Sequence, residues 1–204
     1  MGPESSILSA VDTLTPKGAA TRDRIVEAAA DLVLARGVGG TSLDDIRAGT
    51  ATSKSQLFHY FPGGRTELLA AVTQHEADRV IEDQRPPIDD LSTDASWRAW
   101  QALVVERYTR QGEHCPLAAL TSELGKSSPE ARAIVRDLMD RWQALLASGV
   151  RAVQPATRDP DEAAGIILAA VQGGVVLLMN TGSPRYLEAA LEAATARLLE
   201  GAAP

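Results

Sequence analysis

Sulfur, aromatic rings and positive charge are all scarce in this chain. Cysteine occurs once in 204 residues, which excludes an intrachain disulfide framework and a cysteine-based zinc site. Basic residues are the minority: 20 Lys and Arg stand against 27 Asp and Glu, a net charge of -7. That balance excludes a protein that coats nucleic acid through bulk charge, and a polybasic membrane-surface protein. It leaves room for a small local DNA-binding face. His75 and His114 have no carboxylate at a recognisable metal spacing, so neither a metal nor a cofactor is expected. No Gly-rich phosphate loop is present, and no motif joins a serine nucleophile to a histidine base, so an enzyme is not expected. Strand-like alternation and internal repeats are also missing. The opening Met-Gly-Pro-Glu-Ser-Ser has neither the basic nor the apolar region of a signal peptide, and the expected location is cytoplasmic.

The charge that is present is unevenly placed. Residues 1–65 hold seven positive and seven negative groups, which leaves 13 positive and 20 negative groups to the remainder. After Asp45 the only charges up to Thr66 are Arg47, Lys54 and Arg65. The N-terminal part is therefore built to meet something different from the rest.

Helix signals run almost without break, and the expected class is all-α with about nine helices. Residues 1–20 are rich in Ser, Thr, Pro and Gly and read as a flexible arm. A first helix is expected from an N-cap at Thr21 to a stop at Gly37. A second follows Ser42, whose spacing to Asp45 fits a capping box. A third covers about Ser53–Tyr60 and ends at Pro62-Gly63-Gly64. A fourth opens at Thr66 and reaches about Gln84. Further helices are expected at about 94–111, 116–124, 128–150, 161–180 and 184–200. The division is then an arm at 1–20, an N-terminal three-helix domain at 21–65 and a second domain at 66–204.

Residues 41–61 read TSLDDIRAGTATSKSQLFHYF, two short helices at helix-turn-helix spacing. On the second, Leu57 and Phe61 are four apart and pack inward. Lys54, Ser55, Phe58 and His59 share a different face, with Gln56 and Tyr60 at its edges. Small polar residues let a helix N-terminus approach base edges. Gln reads adenine, Lys meets phosphate or guanine, and the N-terminus with Thr52 and Ser53 attracts phosphate.

The stretch SKSQLFHYFPGGRTELL closely resembles the signature of TetR-type bacterial transcriptional repressors. That resemblance implies three N-terminal helices for DNA binding and C-terminal helices for inducer binding and dimerisation. It maps Thr41, Ser42, Thr52, Ser53, Lys54, Ser55, Gln56, His59, Tyr60 and Arg65 onto positions that usually touch DNA. Ala51 stands where the family usually has Gly, and Phe58 replaces the usual Tyr. FPGG before a basic residue, with HCPLAALTSELG at 114–125, resembles the LmrA/YxaF-like branch. Membership of that branch implies repression of efflux or detoxification genes and response to hydrophobic or aromatic compounds.

The implied inducer site lies between residues 66 and 180. Its expected lining is Trp97, Trp100, Leu103, Tyr108, His114, Cys115, Leu117, Met139, Trp142 and Gln172. All three tryptophans fall within 97–142, which suits an aromatic-walled cavity. Cys115 opens a helix, where the dipole could lower its pKa, and an electrophile- or redox-sensing regulator acting through it is one alternative. A helical-bundle small-molecule binder without DNA binding is another. Residues 163–179 carry no charge. This run is short for a membrane span, has no basic flank, and reads instead as a buried interface helix. With Leu187, Leu191, Ala194 and Leu198 on the last helix, it is expected to form a homodimer interface through 161–180 and 184–200. The dimer would place two recognition helices on a palindromic operator.

Overall fold

The structure, a computed structural model, describes residues 14–200. Nine α-helices make up the described part: α1 (Pro16–Arg36), α2 (Leu43–Thr50), α3 (Lys54–Tyr60), α4 (Gly64–Glu82), α5 (Asp94–Gln111), α6 (116–127), α7 (Pro129–Val153), α8 (Pro160–Thr181) and α9 (Arg185–Glu200). Short 3-10 turns at Pro87–Asp89 and Gly112–His114 flank α5. The all-α class and the expected helix count agree with this architecture.

One boundary differs. α1 begins at Pro16, five residues before the expected cap at Thr21. Thr15 is the cap, its Oγ1 accepting from the Gly18 amide at 3.2 Å, and Pro16 supplies a fixed φ in the first turn. Thr21 lies inside the helix and donates its hydroxyl to the Lys17 carbonyl at 2.9 Å. The Pro-Lys-Gly composition resembles a loop, but Thr-Pro is also a helix start. Residues 1–13 of the expected arm lie outside the described residues.

Ile25, Val26, Ala29, Ala30 and Val33 of α1 are buried with Ile46, Leu57 and Phe61, which closes a three-helix N-terminal unit. α4 then runs from this unit into the body, with Leu68, Leu69, Val72, Ala77 and Val80 in the same continuous core. In the body, α5 turns Trp97, Trp100, Val104 and Tyr108 inward at helical spacing. α7 buries Leu138, Trp142, Leu146 and Val150.

α8 and α9 pack closely on each other and on α7. Gly174 permits this, because a Cβ there would lie 2.6 Å from the Leu187 Cα. The sequence pair Gly173-Gly174 therefore splits its roles. Gly174 faces α9 of the same chain, and Gly173 has open space around it. Leu187, Leu191 and Leu198 are likewise buried within the chain. On α8, by contrast, Ile166, Ala169, Gly173, Val176 and Leu177 are exposed at spacings of three and four. By length and composition α8 could cross a membrane, and 39% of its most apolar window is buried against the rest of the chain.

Candidate nucleic-acid interface and effector core

Two reciprocal caps fix the helix-turn-helix. Ser42 Oγ accepts from the Asp45 amide at 3.1 Å, and the Asp45 carboxylate accepts from the Ser42 amide at 2.9 Å. The Ser42 side-chain hydrogen bond holds the Asp45 carboxyl below the ordinary range, aided by Arg36 at 3.6 Å. At α3, Ser53 Oγ accepts from the Gln56 amide and Gln56 Oε1 accepts from the Ser53 amide, each at 3.1 Å. Between the helices Ala51 takes the left-handed conformation, with φ 51°. It is the one non-glycine residue with positive φ among the described residues.

The expected DNA-facing residues separate into two groups. Ser53, Lys54, Ser55, Gln56 and His59 are exposed on α3 and face solvent together, while Tyr60 is half-buried with its ring edge-on to His59 at 5.0 Å. Phe58 is 41% exposed on the same helix. Ser42 is exposed at the start of α2. The others have work inside the fold. Thr41 is buried and donates to the Leu32 and Gly37 carbonyls at 3.2 and 3.0 Å. Thr52 is buried and donates to the Thr50 carbonyl at 3.4 Å. Arg65 donates to the Val38 carbonyl and, at 3.3 Å, to the Thr41 carbonyl. Gln56 has one amide oxygen in its cap, which leaves its NH2 as the group free to reach a base. The bidentate reading of adenine needs both ends and competes with that cap.

Arg24 was not among the expected contacts. It is exposed on α1 and donates to the Thr50 carbonyl at 3.3 Å, which sets a guanidinium beside the turn between α2 and α3. Its place in the sequence, 26 residues from Thr50, gave no local signal. An open groove of about 720 Å³ lined by Asp44, Arg47, Ala48, Ala51, Thr52 and Ser53 lies along this turn.

The expected effector residues are mostly core. Trp97 and Trp100 meet edge to face at 5.7 Å. The Trp100 indole donates to Gln84 Oε1 at 2.8 Å, and buried Gln84 donates in turn to the Val80 carbonyl at 2.7 Å. Trp142, Tyr108, Cys115 and Leu117 are buried, Leu103 and Met139 are half-buried, and Gln172 contacts Met139 Sδ at 3.6 Å. His114 is exposed. A second recess, of about 100 Å³, is lined by residues of 88–92 and 145–152 and by none of the ten.

Several polar atoms in this core have no hydrogen-bond partner among the described residues: Trp97 Nε1, Trp142 Nε1, the Tyr108 hydroxyl, His75 Nε2 and Glu76 Oε2. Glu76 is fully buried, with Arg79 at 3.4 Å and His75 at 3.9 Å from its other oxygen. Burial pushes its carboxyl above the ordinary range despite the Arg79 guanidinium. Glu76 escaped the sequence reading, yet it lies four residues from Val72 and from Val80 on an apolar stripe, and a carboxylate there is a signal. Burial also raises the Tyr108 hydroxyl and the Cys115 thiol, so the thiolate that electrophile chemistry requires is disfavoured. Among the described residues, no group of three or more His, Cys, Asp or Glu converges as a metal site would.

Residues 25–72 match the family described as bacterial regulatory proteins, tetR family. Residues 93–193 match the C-terminal domain of the LmrA/YxaF-like transcriptional regulators. The HTH-type transcriptional regulator Rv0196 of Mycobacterium tuberculosis is 30% identical over 134 residues, covering 62% of this chain and 67% of that protein. The HTH-type transcriptional regulator LmrA of Bacillus subtilis is 25% identical over 165 residues, covering 78% of this chain and 87% of that protein. A TetR transcriptional regulator from Chloroflexus aurantiacus superposes with a TM-score of 0.72 at 24% identity, over 90% of this chain and 96% of that one. Reduced Escherichia coli NemR superposes with the same score at 18% identity, over 87% and 97% of the two chains. At these identities the superpositions establish the fold. The two family matches and the 30% identical relative make the chain a member of the TetR family of helix-turn-helix DNA-binding transcriptional regulators, with a C-terminal domain of the LmrA/YxaF-like type.

Proposed function

We propose that this regulator is a homodimeric repressor, working in the cytoplasm and released from a palindromic operator by a small hydrophobic or aromatic inducer. One observation carries the reading. From its Ser53 cap to His59 in its last turn, α3 presents Ser53, Lys54, Ser55 and His59 outward, while its other face is locked into the core by Leu57 and Phe61. Among the described residues no carboxylate pairs with Lys54, so its charge is available to DNA. Ser42, Tyr60 and Gln56 flank it, and Arg24 adds a phosphate contact at the turn. Thr41, Thr52 and Arg65 act by holding the turns that aim these groups.

DNA binding belongs to residues up to 65, effector binding and dimerisation to 66–204, and α4 joins them. The inducer enters the core between α4, α5, α6 and α7. There Tyr108, Trp142 and Glu76 carry unpartnered polar atoms that a ligand would satisfy. A ligand of ordinary size needs about 300 Å³ or more, so entry must open this core, and the opening displaces α4. The exposed stripe of α8 meets its own copy across a two-fold axis, with Ala189 and Ala193 of α9 beside it.

Mobility shift on the promoter regions around its own gene tests the reading. A specific complex is expected. Lys54→Ala should weaken it and lower its log–log salt slope by about one phosphate contact. Absence of any specific complex would overturn the reading.

A further inference from the structure

We propose that Glu123 is a positioning residue for operator binding: it ties a π-helical turn of α6 to the loop that opens the helix-turn-helix. The proposal rests on the regulator reading above. Glu123 Oε2 accepts from the Val38 amide at 2.7 Å, across 85 residues of sequence. Gly37 makes the approach possible, since a Cβ at that position would lie 3.2 Å from the same oxygen. Val38 is also held from the other side, where its carbonyl accepts from Arg65 of α4. One residue thus receives α6 through its N–H and α4 through its C=O. Thr41 completes the turn by donating to the Gly37 carbonyl at 3.0 Å, and the next residue, Ser42, caps α2.

The other end of the tether is anchored in the effector core. Leu120–Leu124 form a single π turn within α6, in which Leu120 and Leu124 are fully buried and Glu123 is exposed. The Gly125 amide donates to the Leu120 carbonyl, closing the wide turn, and a Cβ at 125 would lie 2.7 Å from that oxygen. Hydroxyls of Thr121 and Ser122 donate back to the Leu117 and Ala118 carbonyls at 3.0 and 2.7 Å. Such turns are held by their surroundings rather than by propensity. If core rearrangement returned this one to α geometry, the register would slip by one residue and swing Glu123 by about 100° away from Val38. The exposed hydrogen bond contributes little to stability. Its effect is on where the DNA-binding helices sit relative to the body, and hence on the distance between the two recognition helices of a dimer.

The test compares full-length wild type, Glu123→Ala and Glu123→Gln. The first readout is amide exchange over residues 37–42. The second is affinity for DNA recovered by in-vitro selection with wild type, and for the same DNA with one or two base pairs inserted between half-sites. Glu123→Ala should speed exchange at Val38 about tenfold. It should lose about tenfold in affinity for the selected site and discriminate less between spacings. Glu123→Gln keeps an acceptor oxygen and should stay within about twofold of wild type in every readout. Unchanged exchange and unchanged spacing preference in Glu123→Ala would overturn the proposal, as would equal impairment of both variants. Failure of wild type to select any sequence would strike the regulator reading instead, with the exchange readout still deciding whether the tether exists.

Discussion

Ala51 is where a single side chain resists the conformation the turn needs. Its left-handed backbone costs a Cβ-bearing residue about 1–2 kcal/mol. Glycine would remove that cost but would add freedom to the unfolded chain, so the two effects nearly offset. Ala51→Gly should therefore leave stability within about 0.5 kcal/mol, while Ala51→Val should lose about 1–2 kcal/mol, both read by urea denaturation. Glu76 has the opposite character. Its folded pKa is raised by burial, so the stability that its neutral form contributes is full below the unfolded value and is lost as pH rises through the folded one. Glu76→Gln should then raise the melting temperature by about 2–4 °C at pH 8, with the gain vanishing below about pH 4. Equal melting curves at pH 8 would show that Arg79 already compensates the buried carboxylate. Residue roles were only partly legible in the sequence. Exposure of Lys54, Ser55 and His59 follows from helical spacing around Leu57 and Phe61. Burial of Thr41 and Thr52, and the capture of Arg65 by two carbonyls, depend on tertiary contacts that spacing does not encode.

At the scale of elements, caps made the helices readable. Ser42 with Asp45 announces a helix start, and the structure uses it; Ser128 before Pro129 and Asp159 before Pro160 cap α7 and α8 by the same chemistry. The π turn in α6 had no comparable signal, because LTSEL has ordinary helical composition and the extra residue is accommodated only by contacts elsewhere in the fold. Gly125→Ala tests how far that turn depends on its glycine. The added methyl meets the Leu120 carbonyl and the Val135 side chain, which should cost about 1–3 kcal/mol in denaturation experiments. The tryptophan cluster shows the reverse lesson. Three tryptophans close in sequence suggested a lined cavity, but α5 and α7 turn all of them into packed core, and Trp100 spends its N–H on Gln84. Composition reports that aromatics are near one another; it does not report whether space is left between them.

For the whole molecule, charge and the α8 surface decide the behaviour. The acidic excess lies entirely after residue 65, so the body repels DNA while the N-terminal unit, neutral overall, can approach it. Binding by one such small face would be weak, and two held at fixed spacing make a specific site. The apolar stripe on α8, with Ile166 56%, Val176 50% and Leu177 44% exposed, is the surface through which the proposed dimer would hold them. On the proposed two-fold assembly, Val176→Glu should convert a particle of about 43 kDa, twice the 21.6 kDa chain, to a monomer in light scattering and abolish operator binding without altering the helical content of each chain. The most direct test of the account is in-vitro selection of random DNA by the full-length protein. The predicted result is a palindrome with half-site centres about one helical turn, or a multiple of it, apart. No enriched sequence, or a single unpaired half-site, would contradict it.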